Sequence, residues 1–228
     1  MFRKKIIIDC IADLHGHTPE MPGGDLLLVA GDLTRCGSHE ELMVFMDWIL
    51  EQKYEKKIFI AGNHDHLFQK YPNIGFFPDG VDYLPDWGSS FKGLKIWGTP
   101  WSLTFDRINP RCASFTGTEE ELEKHFSKIP DDVDIVIAHG PPFGIRDMTN
   151  EGSVGSRSLT KKLISLEKLK LVVFGHIHEQ YGTWVKEKKK KETETQLGFK
   201  SKYPITFVNA SHVNEFYEPV NAPIRIEL

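Results

Sequence analysis

The sequence is poor in cysteine: three in 228 residues, Cys10, Cys36 and Cys112, an odd number at wide spacing with no Cys-x-x-Cys pair. That excludes a disulfide framework and a cysteine-built zinc knot, and it fits thiols kept reduced in the cytosol. An excess of positive charge is also missing. Lys plus Arg number 28 and Asp plus Glu 32, a formal charge of −4, so no stable duplex nucleic acid is expected as a partner. Long hydrophobic runs are absent as well. Met1-Phe2-Arg3-Lys4-Lys5 forms a basic tip, but Asp9 and Asp13 interrupt the apolar stretch behind it. Neither a signal-peptide core nor a membrane span is expected, and the reading is a cytoplasmic protein with no membrane partner.

What is present is an ordinary globular composition, with 40% hydrophobic, 11% aromatic and 26% charged residues, which excludes a disordered or coiled-coil chain. A length of 228 residues reads as one domain over 1–228. Apolar runs recur at 6–12, 26–30, 58–61, 94–97, 135–138, 171–174, 205–208 and 224–226, and turn or helix signals follow them. They are expected to be short strands, mostly buried on both faces. Ser38 with Glu41, and Thr118 with Glu121, each place a hydroxyl three residues before a carboxylate at the head of a helical apolar pattern. This is capping-box chemistry. A third helix is expected over about 158–169. Strands alternating with helices indicate an α/β domain. The stretches 76–93 and 100–117 read as loops with short strands. Lys186-Glu187-Lys188-Lys189-Lys190-Lys191-Glu192 reads as the solvated tip of a charged hairpin or loop near 186–203.

Five of the strand-like runs end in a metal-capable residue. They lead into Asp13-Leu14-His15, Gly31-Asp32, Gly62-Asn63-His64-Asp65, His139-Gly140 and Gly175-His176-Ile177-His178. A single Asp or His after a strand is usually a turn or cap residue. In α/β sheets, however, the crevice outside the strand carboxyl ends is where ligands collect, so the five ends predict one shared site. The donors are nitrogen and oxygen without sulfur, which points away from a structural zinc knot and towards Mn, Fe, Zn or Mg in a catalytic site.

The ordered set Asp13-x-His15, Gly31-Asp32, Gly62-Asn63-His64-Asp65, His139-Gly140 and Gly175-His176-x-His178 resembles the calcineurin-like metallophosphoesterase superfamily. Gly98-Thr99-Pro100-Trp101, His139 to Gly144 with Asp147, His178 to Gly182 and Asn209-Ala210-Ser211 resemble its small metallophosphoesterase-domain-containing subgroup. A branch of that subgroup carries Gly in place of the first histidine of the final pair, whereas this chain keeps His176. The resemblance implies a four-layer α/β sandwich of two mixed β-sheets flanked by helices. It implies two divalent or mixed-valence metal ions, Mn²⁺ being the ion expected to serve in vitro, with Fe, Zn or Mg as alternatives. Asp13, His15, Asp32 and His178 would hold one ion, and Asp32, Asn63, His139 and His176 the other, with Asp32 bridging. The implied reaction is hydrolysis of a phosphodiester or phosphomonoester, nucleotides and cyclic nucleotides among the candidates, by in-line attack of a metal-bridging hydroxide. His64 would serve as general acid or as a donor to the phosphoryl oxygen, with Asp32 and Asn63 beside it.

Five histidines stand outside that set. His39 and His125 are expected on helix surfaces, while His17 and His66 lie within two residues of site histidines and are candidate supporting or substrate residues. His212 follows Asn209-Ala210-Ser211, which makes it a candidate supporting residue. Arg35, Arg107, Arg111 and Arg146 are candidate phosphate contacts because a guanidinium forks onto phosphate oxygens; Arg146 alone lies in a matched block. Trp97, Trp101, Phe143 and Tyr181 either stack a substrate ring or pack the core. Two other functions compete with the hydrolase. A metal-carrying interaction scaffold of the same fold would tolerate loss of the ligands and of His64, all of which are retained here. A protein Ser/Thr phosphatase would carry a longer acidic and arginine-rich segment after Gly31-Asp32, where this chain reads Asp32-Leu33-Thr34-Arg35.

Overall fold

Each apolar run becomes a strand, and the alternation of its side chains decides which of three cores it feeds. The computed structural model describes residues 5–72, 77–105, 109–187 and 198–228. In chain order the strands are β1 (Ile7–Ile11), β2 (Gly24–Ala30), β3 (Tyr54–Ile60), β4 (Val81–Tyr83), β5 (Trp87–Phe91), β6 (Leu94–Thr99), β7 (Ser102–Leu103), β8 (Thr116–Gly117), β9 (Ile135–Ala138), β10 (Met148–Thr149), β11 (Gly152–Ser153), β12 (Leu171–Phe174), β13 (Gly182–Lys186), β14 (Ile205–Asn209) and β15 (Ile224–Glu227). The helices are α1 (His39–Glu51), α2 (His66–Lys70), α3 (Glu119–Phe126) and α4 (Arg157–Ser165). No helix is long and apolar enough to cross a membrane among the described residues.

Two mixed sheets carry the architecture. One has the order β15-β1-β2-β3-β4, parallel from β1 to β4 with β15 antiparallel at its edge. The other has the order β13-β14-β12-β9-β6-β5, parallel from β14 to β6 with an antiparallel strand at each edge. Ile8, Leu28 and Ile58 of the first sheet meet Ile96, Ile137 and Val173 of the second in the central core. The outer face of the first sheet packs Leu27, Val29 and Phe59 against Phe45 and Ile49 of α1 and Phe68 of α2. The outer face of the second packs Val136, Val172 and Phe207 against Phe126 of α3 and Leu159 and Leu163 of α4. The result is helix, sheet, sheet, helix, the four layers expected.

Local chemistry sets the element ends. Both capping boxes form, Ser38 with Glu41 on α1 and Thr118 with Glu121 on α3. The tight β5–β6 turn uses Lys92 at φ 46° and Gly93 at φ 86°, the left-handed pair that matches strand twist. Three features differ from the sequence reading. The third helix stops at Ser165 rather than near 169, because Lys200 N–H donates to Ile164 O (2.9 Å) and Lys202 N–H to Glu167 O (3.0 Å), drawing the chain out of the helix. The short helix α2 lies in a stretch where no helix is expected. In the charged hairpin, β13 and β14 pair antiparallel, residues 188–197 lie outside the described residues, and Lys186 is buried against Phe199 rather than solvated.

The head of α4 depends on a carboxylate from α3. Glu119 accepts from Arg157 N–H (2.6 Å), Ser158 N–H (3.0 Å), Ser158 Oγ (2.6 Å) and Ser156 Oγ (2.9 Å). Burial pushes its pKa up, but these donors outweigh burial and hold it below the ordinary carboxylate value of 4.5. The stabilisation is therefore present above pH 4.5 and is lost as pH falls through the depressed value. Glu119→Gln is expected to cost about 1 kcal/mol at pH 7, allowing for solvent around the half-exposed group. The gap to wild type should narrow in denaturant melts as pH is taken progressively below 4.5; a gap that stays unchanged in strong acid would remove the charge from the explanation.

Candidate metal centre

Five parallel strand ends deliver the site. β1 runs into Asp13 and His15, β2 into Asp32, β3 into Asn63 and His64, β9 into His139, and β12 into His176 and His178. The backbone at these ends is strained. Asp13, His15, Asp32 and His176 adopt φ values of 52°, 45°, 50° and 69°, a left-handed conformation that costs a non-glycine residue about 1–3 kcal/mol and persists where the surroundings over-determine it. Glycine makes the close approach possible: a Cβ at Gly62 would overlap Asp32 Oδ1, and one at Gly175 would overlap Asp13 Oδ2.

Hydrogen bonds then aim the donors. Asp65 ties two strand ends together by accepting from Gly62 N–H (2.8 Å), Leu33 N–H (3.1 Å), Thr34 N–H (2.9 Å) and Thr34 Oγ1 (2.7 Å). Asp13 accepts from His176 N–H (3.0 Å to both oxygens) and from Ser211 Oγ (2.7 Å). The Asn63 amide donates to Cys112 O (2.7 Å), which leaves its Oδ1 2.8 Å from His139 Nε2. The Nδ1 atoms of His139 and His178 bond to Ala30 O (3.0 Å) and Asn214 O (3.1 Å), so that each Nε2 faces inward.

The donors fall into groups. Asp13, His15 and His178 form one, Asp32, His139 and His176 another, and Asp32 with His15 and His64 a third, each with ligand atoms within 4.8 Å of one another. His15 Nε2 and His178 Nε2 face each other at 3.3 Å, His178 Nε2 lies 3.5 Å from Asp13 Oδ1, and Asp32 Oδ2 lies 3.4 Å from His139 Nε2 and 3.7 Å from His15 Nε2. A tetrahedral cation at about 2.1 Å from each donor sets the donors about 3.4 Å apart, so the residues fit the ions that the resemblance implies. Asp32 belongs to two of the groups at once.

Electrostatics agree with that use. Burial holds His15 down at about 4 and His176 at about 3, so both imidazoles are neutral and available as ligands at pH 7. Burial also pulls at His139 and His178, but Asp32 raises the first to about 9 and Asp13 raises the second above its ordinary value. Burial pushes the Asp13 carboxyl up, yet the hydrogen bond and charge of His178 bring it to about 2. Asp65 goes the other way, to about 6, through burial and the nearby charge of Asp32.

Over the donors opens a cleft of about 800 Å³, into which Asp32, Asn63, His64, His176 and His178 project. Other candidates lie elsewhere. Arg146 turns back onto the protein, donating to Tyr181 O (3.2 Å) and Thr183 O (2.5 Å). His17 sits outside the cleft lining, its ring 6.1 Å from that of His212, and His212 bonds to Asn221 O (2.8 Å). His66 bonds to Ser114 Oγ (2.5 Å). Arg107 lies outside the described residues, and Arg35 and Arg111 are exposed away from the lining. His125 is not a free surface residue: it bonds to Asp86 (2.5 Å) and stacks on Trp101 at 3.7 Å. Trp97 and Trp101 pack against the cores, Phe143 lies under Arg157, and Tyr181 bonds to Ala222 O. The aromatic rings that do line the cleft, Phe105 and Tyr217, carry no sequence signal. Nor do the carbonyls of Cys112 and Asn214, although Ser211 lies in a matched motif.

Known proteins share both the sequence pattern and the fold. A family model described as calcineurin-like phosphoesterase matches residues 6–180. The metallophosphoesterase domain-containing protein 1 of Homo sapiens is 32% identical over 250 residues, covering 96% of this chain and 70% of its own. A probable glycerophosphodiester phosphodiesterase, GpdQ, of Arcobacter nitrofigilis is 26% identical over 184 residues, covering 76% of this chain and 63% of its own. The crystal structure of TT1561 of Thermus thermophilus superimposes with a TM-score of 0.63 over 98% of both chains at 12% identity, which shows a shared fold.

Divalent metal is expected to raise the thermal unfolding midpoint, since a ligand at about 100 times its Kd stabilises by about 2.7 kcal/mol. Asp32→Ala removes the carboxylate common to two groups and should lose most of that shift, whereas Asp47→Ala on the exposed side of α1 should keep it. Equal shifts in all three proteins would place the cation elsewhere.

Proposed function

The chain belongs to the calcineurin-like phosphoesterase family and is a phosphoester hydrolase, and from that premise we propose that it works with two divalent cations on small phosphodiesters or phosphomonoesters, nucleotides among them. The observation that carries this reading is the sharing of Asp32 between ligand groups that approach it from both sheets. Asp13, His15, Asp32 and His178 would hold one cation, and Asp32, Asn63, His139 and His176 the other. When bound, such a pair neutralises phosphoryl charge and lowers the pKa of water to about 7, so that a nucleophile is available at neutral pH.

The chain's own residues do the rest. Asn63 would offer a neutral oxygen and the histidines neutral nitrogens, His139 giving up its proton to a bound cation, which limits the negative charge facing an anionic ester. His64 is aimed by two bonds: its N–H donates to Asp32 Oδ1 (2.9 Å) and its Nδ1 meets Arg35 O (2.8 Å). With Nδ1 engaged by the Arg35 carbonyl, Nε2, 3.9 Å from Asp32 Oδ2, is the nitrogen through which His64 would hand a proton to the departing ester oxygen. A phosphomonoester or phosphodiester would enter through the cleft, which Asp32, Asn63, His64, His176 and His178 line.

The interaction-scaffold reading gains no support, since the complete ligand set and His64 converge. Manganese-loaded protein is expected to hydrolyse bis(p-nitrophenyl) phosphate, and Asp32→Asn to abolish this. Turnover surviving in Asp32→Asn would show that another site is responsible. His64→Ala is expected to lose about 10²–10⁴ in turnover on alkyl esters and far less on nitrophenyl esters, whose leaving groups need no proton. Its metal content should match wild type; equal losses on both ester types, or lost metal, would make His64 a ligand instead.

A further inference from the structure

Tyr217 stands out among the residues around the centre. It lies beyond the segment matched by the family model, which ends at 180. Its ring packs edge-on against His15 (4.8 Å) and His178 (5.3 Å) and tilts over His64 (6.3 Å). It belongs to none of the three apolar cores and keeps 44% of its surface exposed, within the cleft lining. A ring placed there for packing alone would not need what holds it: a left-handed backbone at φ 62°, costly for a bulky residue.

One asparagine enforces that conformation. Asn214 Oδ1 accepts from Phe216 N–H and Glu218 N–H (2.9 Å each), Asn214 Nδ2 donates to Glu218 Oε2 (2.8 Å), and Tyr217 N–H donates to Asn214 O (2.9 Å). The same carbonyl receives His178 Nδ1. The turn that aims the ring therefore also orients a ligand histidine. A second ring answers it: Phe105, 53% exposed, lies against His176 at 6.3 Å, beside the other ligand group. Between and around them the wall mixes apolar Leu103, Val154 and Ile177 with the polar side chains of Thr149, Asn150 and Ser153, and the charged side chains lining it beyond the metal donors are Glu151 and Glu179. No lysine or arginine lines the cleft among the described residues. An aromatic or apolar group on the substrate would find two open rings.

Resting on the phosphoesterase reading, we propose that Tyr217 is a substrate-contacting residue: its ring, with Phe105, holds the aromatic or apolar ester group of a phosphoester. The ring and not the hydroxyl supplies the selection, as the hydroxyl makes no hydrogen bond among the described residues.

The test compares phenylphosphonate with methylphosphonate, which share a head group and differ in the part the rings would touch, by calorimetric titration into manganese-loaded full-length chain. Wild type is expected to prefer the phenyl compound by about three- to tenfold. Tyr217→Ala should bring the ratio near one with manganese and methylphosphonate affinities unchanged, Tyr217→Phe should retain it, and Phe105→Ala should lower it from the other wall. An unchanged ratio in Tyr217→Ala, no preference in wild type, or equal loss of both phosphonates would overturn the proposal, the last making Tyr217 a support for His178. Failure of the phosphoesterase reading shows separately, as wild type that binds manganese but does not hydrolyse bis(p-nitrophenyl) phosphate. Wild type that takes up no manganese overturns both.

Discussion

The Asp32 carboxylate is sealed from solvent, with imidazole nitrogens of His15, His64 and His139 between 3.4 and 3.9 Å away. A lone carboxylate in such a place would cost several kcal/mol. It is sustained by the His64 amide and by the imidazoles that converge on it, and they converge because the strand ends can come close. β2 and β9 finish on alanines, Ala30 and Ala138, and Ala12 and Ala61 follow β1 and β3; all four are fully buried. Larger side chains at these positions would wedge the ends apart. The central core then fixes how far one sheet stands from the other, and with it the distance between donors contributed by β1, β2 and β3 and those contributed by β9 and β12.

Most of this was legible because it is local. An apolar run followed by Gly-Asp, or by Gly-His-x-His, carries both the strand and the donor in a few consecutive residues, and the capping boxes at Ser38 and Thr118 are equally self-contained. What escaped depends on partners far along the chain. The early end of α4 is set by backbone donors near residue 200. His125 looks like a surface residue on a helical wheel, yet Asp86, in a left-handed turn at φ 55°, brings a carboxylate against it. Arg146 resembles a phosphate ligand by type and motif, but Gly182 lies so close to its guanidinium that two carbonyls of β13 and its approach take the donors. Tyr217 had neither motif nor periodicity; only the Asn214 turn explains its place.

The site also shows a division of labour between rigid and adaptable parts. The side chains proposed as cation donors follow strands that are almost wholly buried, while the rings over the cleft stand on loops, one of which also touches a donor, since Asn214 O bonds to His178 Nδ1. The proposed chemistry thus rests on the strand ends, and the proposed selection on the loops above them.

β15 lies antiparallel to β1, joining Glu227 to Ile7, and Ser211 reaches Asp13. Contacts of such separation close very large loops, and their entropy must be met before any local reward arrives, which slows folding. The proposed donor cluster is therefore incomplete in a nascent chain, which carries Asp13 and His15 long before it possesses Ser211, whose hydroxyl bonds to Asp13, and Asn214, whose carbonyl meets His178.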